Sequence, residues 1–262
     1  MKRTALVTGA SSGIGLELTR LFATDGYDLA LVARSEGKLA ALSEELRTRH
    51  GIMAHVIPMD LARDGAADEV WEETRKRGIV VDALVNDAGF AMFGRFAEDD
   101  PGEQGEMLHV NVLALTELTR RFLPGMIERR SGRIMNMAST AAFQPGPLMA
   151  AYYATKAYVL SFSLAVSEEV LGTGVTVTAL CPGVTETGFQ ERARMQDSRL
   201  VAGCKMPGAR EVAEFGYREM MAGRPMAVEG MRNRVIALGT RLVPRSLAAR
   251  VAMKAQERIS GR

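Results

Sequence analysis

The stretch from Thr4 to Gly15 constrains this chain more than any other. A short apolar run, Thr4 to Val7, meets Thr8-Gly9-Ala10-Ser11-Ser12-Gly13-Ile14-Gly15, and a helical pattern follows through Phe22. A strand joined to a helix by a glycine-rich turn is half of a parallel crossover unit, because parallel strands need a long return connection. The same turn can seat a phosphate. Glycine lets the backbone approach closely, and the helix N-terminus offers free N–H groups and the positive end of its dipole. Gly9, Gly13 and Gly15 are spaced G-x3-G-x-G rather than G-x-G-x2-G. Turn chemistry alone could place three glycines here; the strand–helix context favours a nucleotide.

The alternation continues along the chain. Strands are expected at Asp28 to Ala33, Met53 to Ile57, Ala83 to Val85, Arg133 to Met137, Val175 to Leu180 and Pro225 to Val228. Between them lie helical patterns at Glu36 to Arg49, Asp64 to Arg77, Glu103 to Arg129, Ala151 to Leu171 and Glu211 to Met221. Pro124 predicts a kink or break near Leu123. Residues 188–208 show no periodicity and are long for a connection, which points to a lid over a binding site. With 262 residues and 47% hydrophobic content, the chain suits one α/β domain over 1–262.

The end of the second strand bears on cofactor choice. A carboxylate there would accept from the ribose 2′-hydroxyl of NAD; here the sequence is Val32-Ala33-Arg34-Ser35. Arg34 can fork onto a phosphate, so NADP(H) is favoured, with Lys38 as a helper. Asp60, followed by Leu61, lies just past the third strand, where it could read an adenine edge or cap the next helix. Asn86-Asp87-Ala88-Gly89 ends the fourth strand with small residues that let a ligand pass closely.

Tyr152 and Lys156 are four residues apart and share a helix face. A free phenol titrates near 10 and is a poor acid or base at neutrality. A lysine cation nearby would lower that value toward a working range. Tyr153 is also within a turn of Lys156, and helix geometry alone does not choose between the two tyrosines. Ser139 follows the fifth strand, and strand ends in parallel sheets are where sites form. Asn111 is costly inside a helix unless it bonds something.

These motifs together resemble the short-chain dehydrogenase/reductase family. The resemblance rests on Thr8-Gly9-x3-Gly13-Ile14-Gly15, Asn86-x-Ala88-Gly89, Asn111, Ser139, Tyr152-x3-Lys156 and Pro182-Gly183 with Thr187, in order, over roughly Lys2 to Val228. It implies a Rossmann-type, doubly wound, mainly parallel seven-stranded sheet with helices on both faces. It also selects Tyr152, rather than Tyr153, as the proton donor to a carbonyl oxygen. Lys156 would hold the nicotinamide ribose and depress the Tyr152 pKa, Ser139 would bond the carbonyl oxygen, and Asn111 would hold a relay water. Gly9, Ser11, Ser12, Gly13, Ile14, Gly15, Arg34, Asp60, Leu61, Asn86, Ala88, Gly89, Pro182, Gly183, Thr185 and Thr187 would line the cofactor. Two departures stand out: Asp87 where a second Asn is usual, expected to alter local hydrogen bonding more than activity, and Ser12 where many NADP users place a base.

The function implied is NADPH-dependent reduction of an apolar ketone, aldehyde or 3-oxoacyl group. Phe143, Met149, Phe189, Met195, Leu200 and Met206 are the pocket candidates; Arg192 and Arg194 could meet an anionic substrate, with a mobile solvated face the favoured reading. The alternatives are an NAD-dependent alcohol or hydroxysteroid dehydrogenase working oxidatively, and a non-catalytic NADP-binding regulator. A net charge of +2 gives no case for nucleic acid. His50, His55 and His109 lack metal-ligand spacing. Cys181 and Cys204 form no disulfide framework, and the apolar run after Met1-Lys2-Arg3 is too short for a leader or a membrane span, so a cytoplasmic protein is expected. Residues 232–262 read as basic amphipathic helices broken near Gly239 and Pro244. They suit a homodimer or homotetramer interface, with membrane-surface contact as the minor alternative.

Overall fold

The computed structural model describes residues 2–201, 206–240 and 242–258. Seven parallel strands run β1 (Thr4–Thr8), β2 (Asp28–Ala33), β3 (Ala54–Pro58), β4 (Val81–Asn86), β5 (Gly132–Met137), β6 (Val175–Cys181) and β7 (Met226–Val228). Their order is β3-β2-β1-β4-β5-β6-β7. This is the doubly wound Rossmann-type sheet. The order reverses between β1 and β4, where Thr8 pairs with Asn86, and a crevice opens at such a switch point.

The helices are α1 (Gly13–Thr24), α2 (Glu36–His50), α3 (Ala66–Lys76), α4 (Pro101–Leu108), α5 (Leu115–Glu128), α6 (Ala150–Glu169), α7 (Phe189–Arg192), α8 (Ala209–Met221), α9 (Met231–Gly239) and α10 (Arg245–Gln256). Strands buried on both faces need apolar residues throughout rather than alternation. Ala5, Val7, Leu29 and Leu31 pack with Leu18, Phe22, Leu39 and Met220 of α1, α2 and α8. Leu6, Ala30, Val32 and Leu84 pack the other way, with Val70, Leu118, Phe122 and Val166 of α3, α5 and α6. A buried polar ladder stitches β4, β5 and α6. Asn86 Nδ2 donates to Asn136 Oδ1 at 2.8 Å, and Asn136 Nδ2 to Ser163 Oγ at 2.9 Å.

Three local expectations need correction. The helical run from Glu103 does not break near Leu123: α5 continues through Pro124. Pro124 and Arg120, whose carbonyl loses its partner, are both exposed, so water can replace the bond. The irregularity lies earlier, in a π-helical stretch from His109 to Ala114 that contains Asn111. Asp60 does not cap α3; its side chain accepts from the Ala62 N–H at 3.1 Å, and Gly65, at φ 74°, precedes the helix. The Leu61 side chain is buried in the second core, which leaves only its backbone to meet a ligand. Cys181 is a buried free thiol; Cys204 lies outside the described residues.

Candidate active site

The carboxyl ends of β1, β4, β5 and β6 converge on a cavity of about 950 Å³. On one side stands the first turn, with Gly9, Ser12, Gly13 and Ile14. The N-cap residue Ser12 makes no side-chain bond to α1, and the N–H groups of Gly13 and Ile14 face this space without a local acceptor. Gly15 lies behind them, because a Cβ there would meet the Gly9 carbonyl oxygen at 2.7 Å and Asp87 Oδ2 at 2.5 Å. The third glycine is therefore a packing requirement. Ser11 and Gly15 do not line the cavity.

The turn after β4 is tied to β1 through one hydroxyl. Thr8 Oγ1 accepts from the N–H groups of Asp87 and Ala88, both at 3.0 Å. Ala88 and Gly89 reach the cavity, whereas the Asn86 side chain goes into the sheet ladder and does not. Asp87 points behind the glycine turn and accepts from the Gly15 N–H. Burial pushes its carboxyl up to about 7, against the opposing pull of Lys156 and the Gly15 N–H.

The four expected catalytic side chains come together here. Lys156 is buried, and its Nζ donates to the Met137 carbonyl at 2.7 Å. Burial brings its ammonium down to about 8, opposed by the charge of Asp87. The same Nζ lies 5.7 Å from the centre of the Tyr152 ring. Tyr152 is buried between Tyr153 and Phe189, with ring centroids at 6.1 and 5.5 Å. The expected depression of the Tyr152 pKa is absent. Burial among these rings pushes the phenol above its ordinary value, and a hydrogen bond with Ser139 opposes that shift only partly. Ser139 Oγ also caps the short helical turn after β5, accepting from the Ala141 N–H at 3.1 Å. Asn111 is buried under the site. It donates to the Phe90 carbonyl at 2.9 Å and to Thr155 Oγ1 at 3.2 Å, and accepts from the Phe90 N–H at 3.1 Å.

Tyr153 is a wall residue. Its ring occupies the space a Cβ on Gly146 would need, and it lines the cavity. Of the expected pocket residues, Met149, Phe189, Met195, Leu200 and Met206 do line it. Phe143 does not; it packs against Val159, Leu160 and neighbours on another side of α6. Arg192 reaches the cavity, with its guanidinium 4.0 Å from the centre of the Phe90 ring; Arg194 does not.

Beyond β6, Pro182, Gly183, Thr185 and Thr187 close the far side. A residue that the sequence did not single out organises them. Gln190 is buried, donates to the Thr185 carbonyl at 2.5 Å and accepts from the Thr187 N–H at 3.4 Å. Met231, Arg232, Asn233 and Ile236 of α9 complete the wall, again without a motif to announce them.

Arg34, Asp60 and Leu61 lie outside this cavity but beside its glycine end. The Ala10 N–H bonds the Val32 carbonyl at 3.4 Å, and the Met59 N–H bonds the Ala33 carbonyl at 3.0 Å. The ends of β1, β2 and β3 thus sit together, with Arg34 exposed next to the turn.

A family model described as short chain dehydrogenase matches residues 3–198. The chain belongs to the short-chain dehydrogenase family. It is an oxidoreductase, as that family is. Among relatives, it is 34% identical over 206 residues to a ketoacyl reductase, HetN, of Nostoc sp., covering 78% of this chain and 71% of the relative. It is 34% identical over 178 residues to a very-long-chain 3-oxoacyl-CoA reductase of Laccaria bicolor, covering 67% of this chain and 53% of that protein. A short-chain dehydrogenase from Sphingobium yanoikuyae, solved in complex with NADPH, superposes with a TM-score of 0.83 at 28% identity, over 99% of this chain and 98% of that one. This dehydrogenase's own residues suit a dinucleotide. A Cβ on Gly13 would already touch Thr187 across the cavity, at 3.6 Å. The bare backbone of Gly13 therefore keeps open the passage between the start of α1 and the Thr185–Thr187 turn. Among the described residues no cluster of side chains could hold a metal ion.

Proposed function

We propose that this protein uses NADPH to reduce the carbonyl of an apolar ketone, aldehyde or 3-oxoacyl substrate. The observation that carries this reading is the Tyr152 phenol, buried and protonated, at the floor of an apolar cavity beside Ser139 and Lys156. A general acid must hold its proton until the transition state, and a phenol pushed upward by burial does so throughout the neutral range. Bound NADPH supplies the hydride to the carbonyl carbon. Tyr152 Oη gives its proton to the carbonyl oxygen, and the Ser139 hydroxyl shares the charge that develops there. Lys156, titrating at about 8, can return a proton to the tyrosine. Its Nζ and the amide oxygen of Asn111 lie on the same side of Gly89, 3.7 and 2.9 Å from where a Cβ would stand, consistent with a relay between them.

The oxidative alternative runs the same site in reverse, with Tyr152 taking the proton, and is told apart by which cofactor and direction the enzyme turns over. The NADP preference rests on Arg34, beside the glycine turn with no carboxylate on its strand end. The 3-oxoacyl class is supported by the ketoacyl and 3-oxoacyl-CoA reductases among the relatives and by the apolar walls of Met149, Met195, Leu200 and Met206. The test is NADPH oxidation with ketones, aldehydes and 3-oxoacyl thioesters. Turnover of an apolar carbonyl that Tyr152→Phe removes would support the assignment; tight NADPH binding with no turnover of any of them would sink it.

A further inference from the structure

The C-terminal helix pair is built inside out. A surface helix turns its large apolar residues inward and its polar residues to solvent. Here α9 buries Ala237, and α10 buries Ala248, Ala252 and Gln256. The large residues face outward. Met231, Val235 and Leu238 stand at i, i+4 and i+7 along α9, and Leu242 continues the row in the following turn; Met231 is 72% and Leu242 88% exposed. Leu247 and Val251, one turn apart, do the same on α10. Scattered single exposed hydrophobics need no explanation, but a continuous set does.

The charge around this face selects the occupant. Residues 231–258 contain seven lysines and arginines and one acid, Glu257. That is a net +6 in a chain whose total is +2, so the rest of the protein is net negative. Arg232, Arg245, Arg250 and Lys254 are exposed among the apolar side chains. A two-fold contact with a second copy would set this positive surface against itself. An anionic lipid surface offers an apolar interior beneath a negative layer, which matches both properties of the face.

The same face borders the cavity. Ile236, 42% exposed, is also a cavity wall, as are Met231 of α9 and Ala255 of α10. The end of α10 is fastened to the 188–208 segment over the site. The Arg199 N–H bonds the Glu257 carbonyl at 3.0 Å, and Arg258 pairs with Asp197 at 3.1 Å.

We propose that α9 and α10 form a docking face for an anionic lipid bilayer, with the cavity mouth at its edge. Docked this way, an apolar substrate dissolved in the bilayer reaches the cavity without crossing bulk water. That route rests on the reductase reading; the docking does not. No helix of the described residues is long and apolar enough to cross a membrane, so the contact is peripheral.

The test is co-sedimentation of the full chain with vesicles, without substrate or cofactor. Phosphatidylcholine vesicles are compared with phosphatidylcholine containing about one-third phosphatidylglycerol, whose negative surface attracts basic segments. The wild-type chain is expected to sediment with the anionic vesicles and to be released by high salt. The paired substitution Leu242→Glu with Val251→Glu, at exposed positions that leave the core intact, should reduce the bound fraction at least tenfold with an unchanged melting temperature. Arg245→Glu with Arg250→Glu should reduce it on anionic vesicles as well. No sedimentation with anionic vesicles would overturn the proposal. So would a dimer in sedimentation velocity that the Leu242→Glu and Val251→Glu pair dissociates, since the face would then be covered by a second copy. Failed docking alongside intact NADPH turnover would remove this proposal and leave the reductase reading standing.

Discussion

Asp87→Asn should change the pH dependence of stability in a defined direction. The Asp87 carboxyl ordinarily titrates at 3.8 and is pushed up to about 7 in the folded chain by burial behind the glycine turn. The folded state therefore binds this proton more tightly than the unfolded state. Stability is full below the unfolded value and falls as pH rises through the folded one. Between pH 5 and 7 the folded group releases about half a proton while the unfolded group stays ionised. Integrating at 1.36 kcal/mol per pKa unit gives a loss of about 2 kcal/mol across that window. Lys156, at about 8 when folded, remains charged in both states there and hardly alters the slope. Asparagine keeps an acceptor for the Gly15 N–H but cannot ionise, so the variant should lack this loss. For a chain of this size about 2 kcal/mol corresponds to roughly 4–8 °C in melting temperature. The assay is thermal unfolding of both proteins at pH 5, 6 and 7. Groups common to the two cancel in the difference, except Lys156, whose ammonium loses the Asp87 charge that holds it up and so widens the gap in the same direction. The gap should open in favour of Asp87→Asn as pH rises. Parallel curves would refute the claim that Asp87 is a strained buried carboxyl.

Other substitutions probe the site more directly. Arg34→Ala should weaken NADPH binding by about tenfold to a hundredfold, the worth of charge-assisted hydrogen bonds to a phosphate, and leave NADH nearly unchanged; fluorescence titration reads both. Gly15→Ala drives a Cβ into the Gly9 carbonyl and the Asp87 carboxyl, so it should cost about 2 kcal/mol in urea unfolding and weaken dinucleotide binding as well. Ser139→Ala should lower kcat by about a hundredfold to a thousandfold, as loss of an oxyanion donor does, with little change in the dinucleotide Kd.

The sheet and its glycine turn were legible because their signals are local. β1 and β2 are unbroken apolar runs, as strands covered on both faces must be, and the glycines follow directly. The four side chains proposed as catalytic, Asn111, Ser139, Tyr152 and Lys156, were legible as an ordered set of motifs. What stayed hidden depends on contacts distant in sequence. Nothing near Asn111 announces a π-helical stretch, whereas Pro124 announces a break that an exposed carbonyl makes unnecessary. Asp87 reads as a variant of a motif until the fold sets it against Gly15. Gln190 has no signature at all, because its two partners are backbone groups of the preceding turn. Phe143 looks like a pocket residue by proximity to Met149, yet the turn after β5 sends it to the far side of α6. The same limit applies to α9 and α10. Their sequences show amphipathic helices, but only the fold shows that alanines face the protein.

The most direct test of the proposed reaction is the rate of NADPH oxidation by an apolar 3-oxoacyl thioester in three proteins: wild type, Tyr152→Phe and Tyr153→Phe. Loss of the acid at Tyr152 should reduce turnover by about a hundredfold to ten-thousandfold, while Tyr153→Phe, which keeps the ring that packs on Gly146, should retain most of it. Turnover surviving in Tyr152→Phe but lost in Tyr153→Phe would contradict the assignment of the proton donor and the site built around it.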